Sequence, residues 1–321
     1  MAEIYKISEK YMAEIIYYNY VLYKKLNIIE IHWTDVNGPL TLPKNTTHLI
    51  FNDTFNESVD TLPQSIKSLI FGNNFNQSVD VLPENLEELI FGNMFNDYVN
   101  YLPSTLITLK FGHYFNKEVD YLPNQLEYLT FGHLFNQHIR RLPVKLKTLI
   151  FGDFFNKKIY NLPQRITHIK FGNSFNKNLF SLSKNVTHIV FGKNFVKSVD
   201  KLPKNVTHIT FGENFNSLVN NLPENVTHLI FGDLFNKSLD SLPPNIISIK
   251  LGKEFTKSLD NLPYSLEELY IYPKRNLLIN KLPLNCKIYN IMSNKEIIVT
   301  DGRIFDKKSN IEIHKYFIAK K

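Results

Sequence analysis

Five of the ten histidines in this 321-residue chain, His48, His168, His188, His208 and His228, occupy one position of a frame that repeats every 20 residues. Imidazoles brought into line by such a frame have two chemistries open to them. Neighbouring rings can share a transition metal, or they can sense pH, because protonated rings side by side repel one another and histidine titrates near neutrality. The surrounding residues favour neither. The last four lie in copied segments reading R-I-T-H-I, N-V-T-H-I or, at His228, N-V-T-H-L, so duplication alone produces a row, and no carboxylate recurs beside them to orient the rings as the outer partners of metal ligands do. The single cysteine, Cys286, provides neither an intramolecular disulfide nor an all-cysteine metal site. No glycine-rich phosphate loop, serine elbow, carboxylate pair or Cys/His nucleophile pair occurs in a context that supports its chemistry. The expectation is a non-enzymatic protein with no catalytic residue, no metal and no cofactor.

What must position the histidines is the repeat itself. From Phe51 the sequence returns to itself without insertion, as in FGNNFNQSVDVLPENLEELI (71–90) and FGENFNSLVNNLPENVTHLI (211–230). Eleven coils begin at 51, 71 and so on to 251, a degraded one starts at Ile271, and a half coil, TLPKNTTHLI (41–50), precedes them. Length alone suggests two domains, but a coil stack grows by adding copies rather than cores. Across a coil boundary the pattern reads L-P-x-x-L-x-x-L-x-F-G-x-x-F-N, close to the leucine-rich spacing L-x-x-L-x-L-x-x-N in which a short strand carries L-x-L. The predicted fold is therefore mostly β: a leucine-rich-repeat-like solenoid of parallel strands built from 20-residue coils. The strand falls on residues 18 to 20 of one coil and 1 and 2 of the next. Alternation then sends Ile209 and Phe211 inward and His208 and Thr210 outward. The glycine that follows, Gly212 and its equivalents, is expected to serve a sharp turn. The second phenylalanine of each coil is expected to fill the interior from the opposite wall, and the Asn after it to form a ladder satisfying backbone groups of neighbouring coils. Leu-Pro begins the return side, since proline cannot donate to a ladder.

Two outward rows result. One reads His48, Ser68, Glu88, Thr108, Tyr128, Thr148, His168, His188, His208, His228, Ser248, Glu268; the other Ile50, Ile70, Ile90, Lys110, Thr130, Ile150, Lys170, Val190, Thr210, Ile230, Lys250, Tyr270. An apolar-rich outward row reflects either β-propensity or a contact surface. The candidate partner-binding residues are Ile50, Ile70, Ile90, Tyr128, His168, His188, His208, His228 and Tyr270, offered to a protein partner whose identity the residues do not give. Local breaks in the repeat, Ser183 for Pro, Val196 for Asn, and Tyr160 and Phe180 at a usually polar site, introduce no reactive group and are close enough together to mark a second contact patch.

The two ends depart from the repeat, as capping segments must if the terminal coils are not to stay sticky. Residues 2–26 place Ile4, Ile7, Tyr11, Ile15, Tyr18 and Leu22 at helical spacing and predict an N-terminal helical cap, with an irregular strand and turn over 27–40. Residues 296–305, with Asp301-Gly302 in the middle, predict a hairpin within a C-terminal β cap, followed by a strand around Ile311 to Ile318. The implied organisation is a cap at 1–40, a solenoid at 41–290 and a cap at 291–321. Charges at Glu3, Lys6, Glu9, Lys10 and Glu14 interrupt the apolar stretch a signal peptide needs, and no later segment is long enough to span a bilayer, so the reading is a cytoplasmic monomer with no membrane contact. The net charge of +7 raises polyanion binding as an alternative, but the lysines scatter over several walls and the aromatics that could stack on bases are assigned to the core, which argues against nucleic acid.

The coil F-G-x-x-F-N followed by L-P-x-x-L-x-x-L, recurring eleven times, resembles the FNIP repeat of social amoebae and giant viruses of amoebae, over about residues 41–290. The resemblance implies a leucine-rich-like solenoid. Many relatives carry an N-terminal F-box, which implies substrate recruitment to a ubiquitin ligase, and that role is kept as an alternative although the first 40 residues show no F-box start.

Overall fold

A computed structural model of the chain describes residues 29–31, 42, 45–179, 182–273, 279, 281–300 and 303–308. Two compact units divide it, Met1–Ile166 and Thr167–Lys321. Among its described residues the N-terminal unit carries seven strands: β1 Ile29–Ile31, β2 His48–Phe51, β3 Ser68–Ile70, β4 Glu88–Ile90, β5 Thr108–Lys110, β6 Tyr128–Thr130 and β7 Thr148–Ile150. Each pairs in parallel with the next, in a register of 20 residues, such as Leu69 with Leu89.

One coil shows why these residues fold this way. In 71–90, Phe71, Phe75, Val79, Leu82, Leu86 and Leu89 point inward and are at most 6% exposed. Between them the chain closes two hydrogen-bonded turns: Phe75 N–H donates to the Gly72 carbonyl at 3.5 Å, and Leu86 N–H to the Pro83 carbonyl at 3.1 Å. The L-P-x-x-L signature is therefore a turn that starts on proline's carbonyl and needs nothing of its missing N–H. The strand is shorter than the sequence predicts, three residues in most coils, because Phe71 and its equivalents already lead into the first turn.

The aromatic interior differs from expectation in one respect. The second phenylalanine does not approach from an opposite wall; the two rings of a coil lie face to face, Phe71 against Phe75 at 3.7 Å and 10°. Each also stacks on its copies, Phe71 on Phe91 at 5.6 Å and Phe75 on Phe95 at 6.0 Å, so the spine is a double column. The F-G-x-x-F turn folds the second ring back over the first. Burial of each ring contributes about 1.5–3 kcal/mol.

The glycine has a different reason from the one its position suggests. A Cβ on Gly132 would stand 1.6 Å from the Gly112 carbonyl oxygen, and one on Gly212 2.0 Å from that of Gly192, with neither residue in the left-handed region. Close approach of successive backbones, rather than turn geometry, excludes a side chain here. The asparagine ladder forms as expected: Asn56 Oδ1 accepts from Asn76 N–H at 2.8 Å, and the same bond recurs through Asn96, Asn116, Asn136 and Asn156 at 2.8–3.0 Å.

The C-terminal unit repeats this plan with β8 His168–Lys170, β9 His188–Val190, β10 His208–Thr210, β11 His228–Ile230, β12 Ser248–Lys250, β13 Glu268–Ile271 and β14 Lys287–Asn290, again parallel. The degraded coil loses one residue, pairing Glu268 with Lys287. The direction then reverses: β15 Lys295–Thr300 pairs antiparallel with β14, and β16 Arg303–Asp306 antiparallel with β15. This is the hairpin the sequence predicts, its Asp301-Gly302 turn and the strand expected near Ile311 lying outside the described residues. The helical cap expected at 2–26 also lies outside them, while β1 falls in the segment read as an irregular strand. The repeat breaks are absorbed locally: Ser183 keeps the proline-type turn through its carbonyl to Val186 N–H at 3.1 Å, and Tyr160 is exposed beside Asn161 at a φ of 53°.

Candidate functional site: the outward strand faces

The parity of the strands fixes which side chains leave the core. In β10, Ile209 is buried while His208 and Thr210 are half-buried on the outer face, and the same alternation runs through nearly every coil. Parallel pairing puts equivalent outward residues side by side, so the face of each unit can be read as two columns.

In the C-terminal unit one column is histidine. His168, His188, His208 and His228 stack at 4.3, 4.2 and 4.2 Å between ring centroids, with planes within 16°. The threonine before each histidine holds its ring: Oγ1 of Thr167, Thr187, Thr207 and Thr227 lies 2.8–2.9 Å from Nδ1. The hydroxyls of Thr187, Thr207 and Thr227 donate to the carbonyl of the threonine one coil back at 3.1–3.2 Å, so their oxygens accept from Nδ1–H and leave Nε2 as the outward acceptor edge. Burial lowers the affinity of all four rings for a proton. His188 falls to about 3, by burial and then the charges of His168, His208 and His228, and His208 to about 4 by burial and then His228 and His168. His168 is lowered by burial, and His228 by burial against the raising influence of Glu268. At neutral pH the column is an uncharged stack. Parallel rings present parallel lone pairs that cannot converge on one ion at about 2.0–2.1 Å, and among the described residues no group of three metal-ligating side chains occurs.

The N-terminal unit presents a different face. Ile50, Ile70 and Ile90 are register neighbours and half-buried. Beside them run His48, Ser68, Glu88 and Thr108. Ser68 is 5% exposed and donates to Glu88 Oε2 at 2.7 Å, and burial raises the Glu88 carboxyl to about 7. His48, lowered by burial, contacts Thr47 at 2.9 Å. Tyr128 stands apart from the isoleucines, between Thr108 and Thr148. Tyr270, in the C-terminal unit, stacks on Tyr289 at 4.9 Å and donates to Glu268 at 3.1 Å; burial and Glu268 push its hydroxyl up to about 12. The nine candidate residues thus form a histidine column in one unit, an isoleucine column in the other, and two separate tyrosines.

Sequence reasoning passed over two features. Glu88 was one outward residue among many, its desolvation invisible until the neighbours are in place. The other is on the first turn of successive coils in the N-terminal unit, where His113 stacks on His133 at 4.6 Å and His133 Nδ1 meets Asp153 at 3.0 Å, next to exposed Tyr114 and Phe154. A search of coil positions 3 and 4 for runs of like residues finds it. Cys286 is half-buried, its thiol pushed up to about 11 by burial and then Glu268, which keeps it from acting as a thiolate at neutral pH.

Comparisons with known proteins agree with this geometry. The FNIP Repeat model matches six stretches, 58–94, 98–134, 135–174, 175–213, 198–234 and 235–272. Among solved structures the chain is similar to CroV588 of a giant virus, described as a novel circular LRR protein, at 38% identity and a TM-score of 0.70 over 77% of this chain and 40% of that one. It therefore spans less than half the length of that protein. YopM, a leucine-rich effector of Yersinia pestis, matches at 21% identity and a TM-score of 0.50 over 78% of each chain, a likeness of fold alone. No curated protein sequence matches. With six tandem matches running from 58 to 272, the chain belongs to the FNIP repeat family.

Proposed function

We propose that the chain is a non-enzymatic protein-interaction scaffold that presents its outward strand faces to a protein partner. The observation that carries this reading is the isoleucine column of β2 to β4: three register-matched apolar side chains turned away from a core that is already complete. Leucine-rich solenoids are a fold commonly used for such contacts, which supports the reading at the level of fold. A polyanion role is weaker, because lysines are paired with acids of adjacent coils, Lys67 with Glu87, Lys147 with Glu127, Lys193 with Glu213 and Lys253 with Asp233, at 2.7–3.1 Å. No helix among the described residues is long and apolar enough to cross a membrane, and an adaptor role in ubiquitin transfer depends on residues 1–40, almost wholly outside those described. The test is affinity purification from native cells with wild type and a variant carrying Ile70, Ile90, His188 and His208 changed to Ser. A protein retained by wild type and lost by the variant supports the reading; partners retained equally by both move the contact off the strand faces.

A further inference from the structure

Glu88 is an outward, half-buried carboxylate in an unusual setting. Among the described residues its polar partner is the Ser68 hydroxyl at 2.7 Å, and none of them brings a cationic nitrogen within ion-pairing distance. The nearby charges are engaged or set aside: Lys67 pairs with Glu87 at 2.9 Å, Lys110 is exposed one coil on in the isoleucine column, and His48 lies two coils back against Thr47. Thr108 is its register neighbour on the other side, and Ile90, two residues on along its own strand, forms the adjacent outward column with Ile70. A half-buried carboxylate beside an aliphatic column, with one oxygen uncommitted, is poorly solvated by water, and it gains most from a cation that arrives with its own apolar stem.

We propose that Glu88, braced by Ser68 and bordered by Ile70 and Ile90, is the anchor for an arginine side chain set among apolar residues of a partner protein. The proposal rests on the scaffold reading and gives its partner a chemistry. Arginine suits the site better than lysine, because its guanidinium is weakly hydrated, offers a planar fork to a carboxylate and carries a stem that can lie along the isoleucines. Binding a cation here also selects the ionised carboxylate, so it releases a proton wherever the carboxyl is still protonated.

The probe is a library of random 12-residue peptides displayed on phage and selected on the immobilised full chain. Binders are then measured by fluorescence anisotropy against wild type, Glu88→Gln, and the Ile70→Ser/Ile90→Ser and His188→Ser/His208→Ser pairs. The expected result is enrichment of arginine beside Leu, Ile or Phe, with Glu88→Gln and arginine→glutamine in the peptide each weakening binding tenfold or more. The two changes together should cost no more than either alone, and affinity for wild type should rise from pH 6 to pH 8. The peptide-side change leaves the chain untouched, so a folding defect in a variant cannot imitate the effect. Binders weakened by the isoleucine or histidine pair but indifferent to Glu88→Gln overturn the anchor and leave the scaffold reading standing. Binders indifferent to every strand-face change, or a library that yields none, overturn both.

Discussion

The strand faces of the two units use the same coil positions for opposite chemistry. The N-terminal unit sets an isoleucine column beside a desolvated carboxylate, Glu88, and the C-terminal unit sets lysine, valine, threonine and isoleucine beside four stacked neutral imidazoles. Inside, the units are nearly interchangeable: Phe115 and Phe215 are both fully buried, in double columns whose paired rings lie 3.7 and 3.9 Å apart. The fold constrains positions 1, 5, 9, 12, 16 and 19 of the coil and leaves 18 and 20 open, which is how a duplicated scaffold can change what it presents without changing how it stands.

The strongest way to break this comparison is to cut the interior in each half. Phe115→Ala and Phe215→Ala each remove a fully buried ring, and each should cost about 3–5 kcal/mol. Matching losses in urea unfolding support equivalent interiors. A loss confined to one variant shows that the columns carry different loads.

Next in size is the asparagine ladder, unbroken from Asn56 to Asn156 but interrupted in the C-terminal unit, where Val196 accepts no bond through its side chain. Asn116→Ala removes the acceptor for Asn136 N–H at 2.9 Å and should cost about 1–3 kcal/mol. Val196→Asn restores an acceptor one coil before Asn216 and should stabilise by about 0.5–1.5 kcal/mol. Unchanged midpoints for both variants assign the ladder to copying rather than stability.

Titration separates the faces by sign. His188 and His208 are held at about 3 and about 4 against 6.5 for a free ring, so below 6.5 the unfolded chain takes up protons that the folded chain refuses. Their contribution is full above 6.5 and is lost as pH falls toward 4. Glu88, raised from 4.5 to about 7, runs the other way: its contribution is full below 4.5 and is lost as pH rises through about 7. Lowered His48 in the N-terminal unit adds to the histidine direction. In unfolding measured at pH 7 and pH 5, His188→Asn/His208→Asn should lose less stability on acidification than wild type, and Glu88→Gln should lose more. Parallel pH profiles for all three chains remove the distinction.

These features were unequally legible in the sequence. The period alone gives the parallel stack, the inward set and the outward rows, because a strict 20-residue return leaves side-chain parity no freedom. The face-to-face phenylalanines and the glycine column were misread, since both depend on how closely successive turns and backbones approach, and composition carries no distances. Glu88 was hidden for a related reason. A lone acid on an outward row reads as solvated, and its desolvation depends on how the folded neighbours cover it. His168 to His228 were visible as a row, but whether such a row gathers a metal or stacks is decided by ring orientation, which the Thr-His pairs set.

The smallest expected effect tests whether position, rather than apolarity, defines the binding face. Tyr101 and Tyr121 are 71% and 72% exposed on a turn of the N-terminal unit, away from the strand that carries Ile90. If exposed apolar area were enough, these rings would be better contact residues than the half-buried isoleucines. The proposed face predicts otherwise. Isoleucines fixed in register on a strand are already ordered and lose little entropy when covered, whereas an exposed turn side chain must be immobilised. Tyr121→Ser should therefore change stability by less than about 0.5 kcal/mol and leave partner capture at the wild-type level, while Ile70→Ser lowers it. Capture lost with Tyr121→Ser and kept with Ile70→Ser transfers the interaction from the strands to the turns.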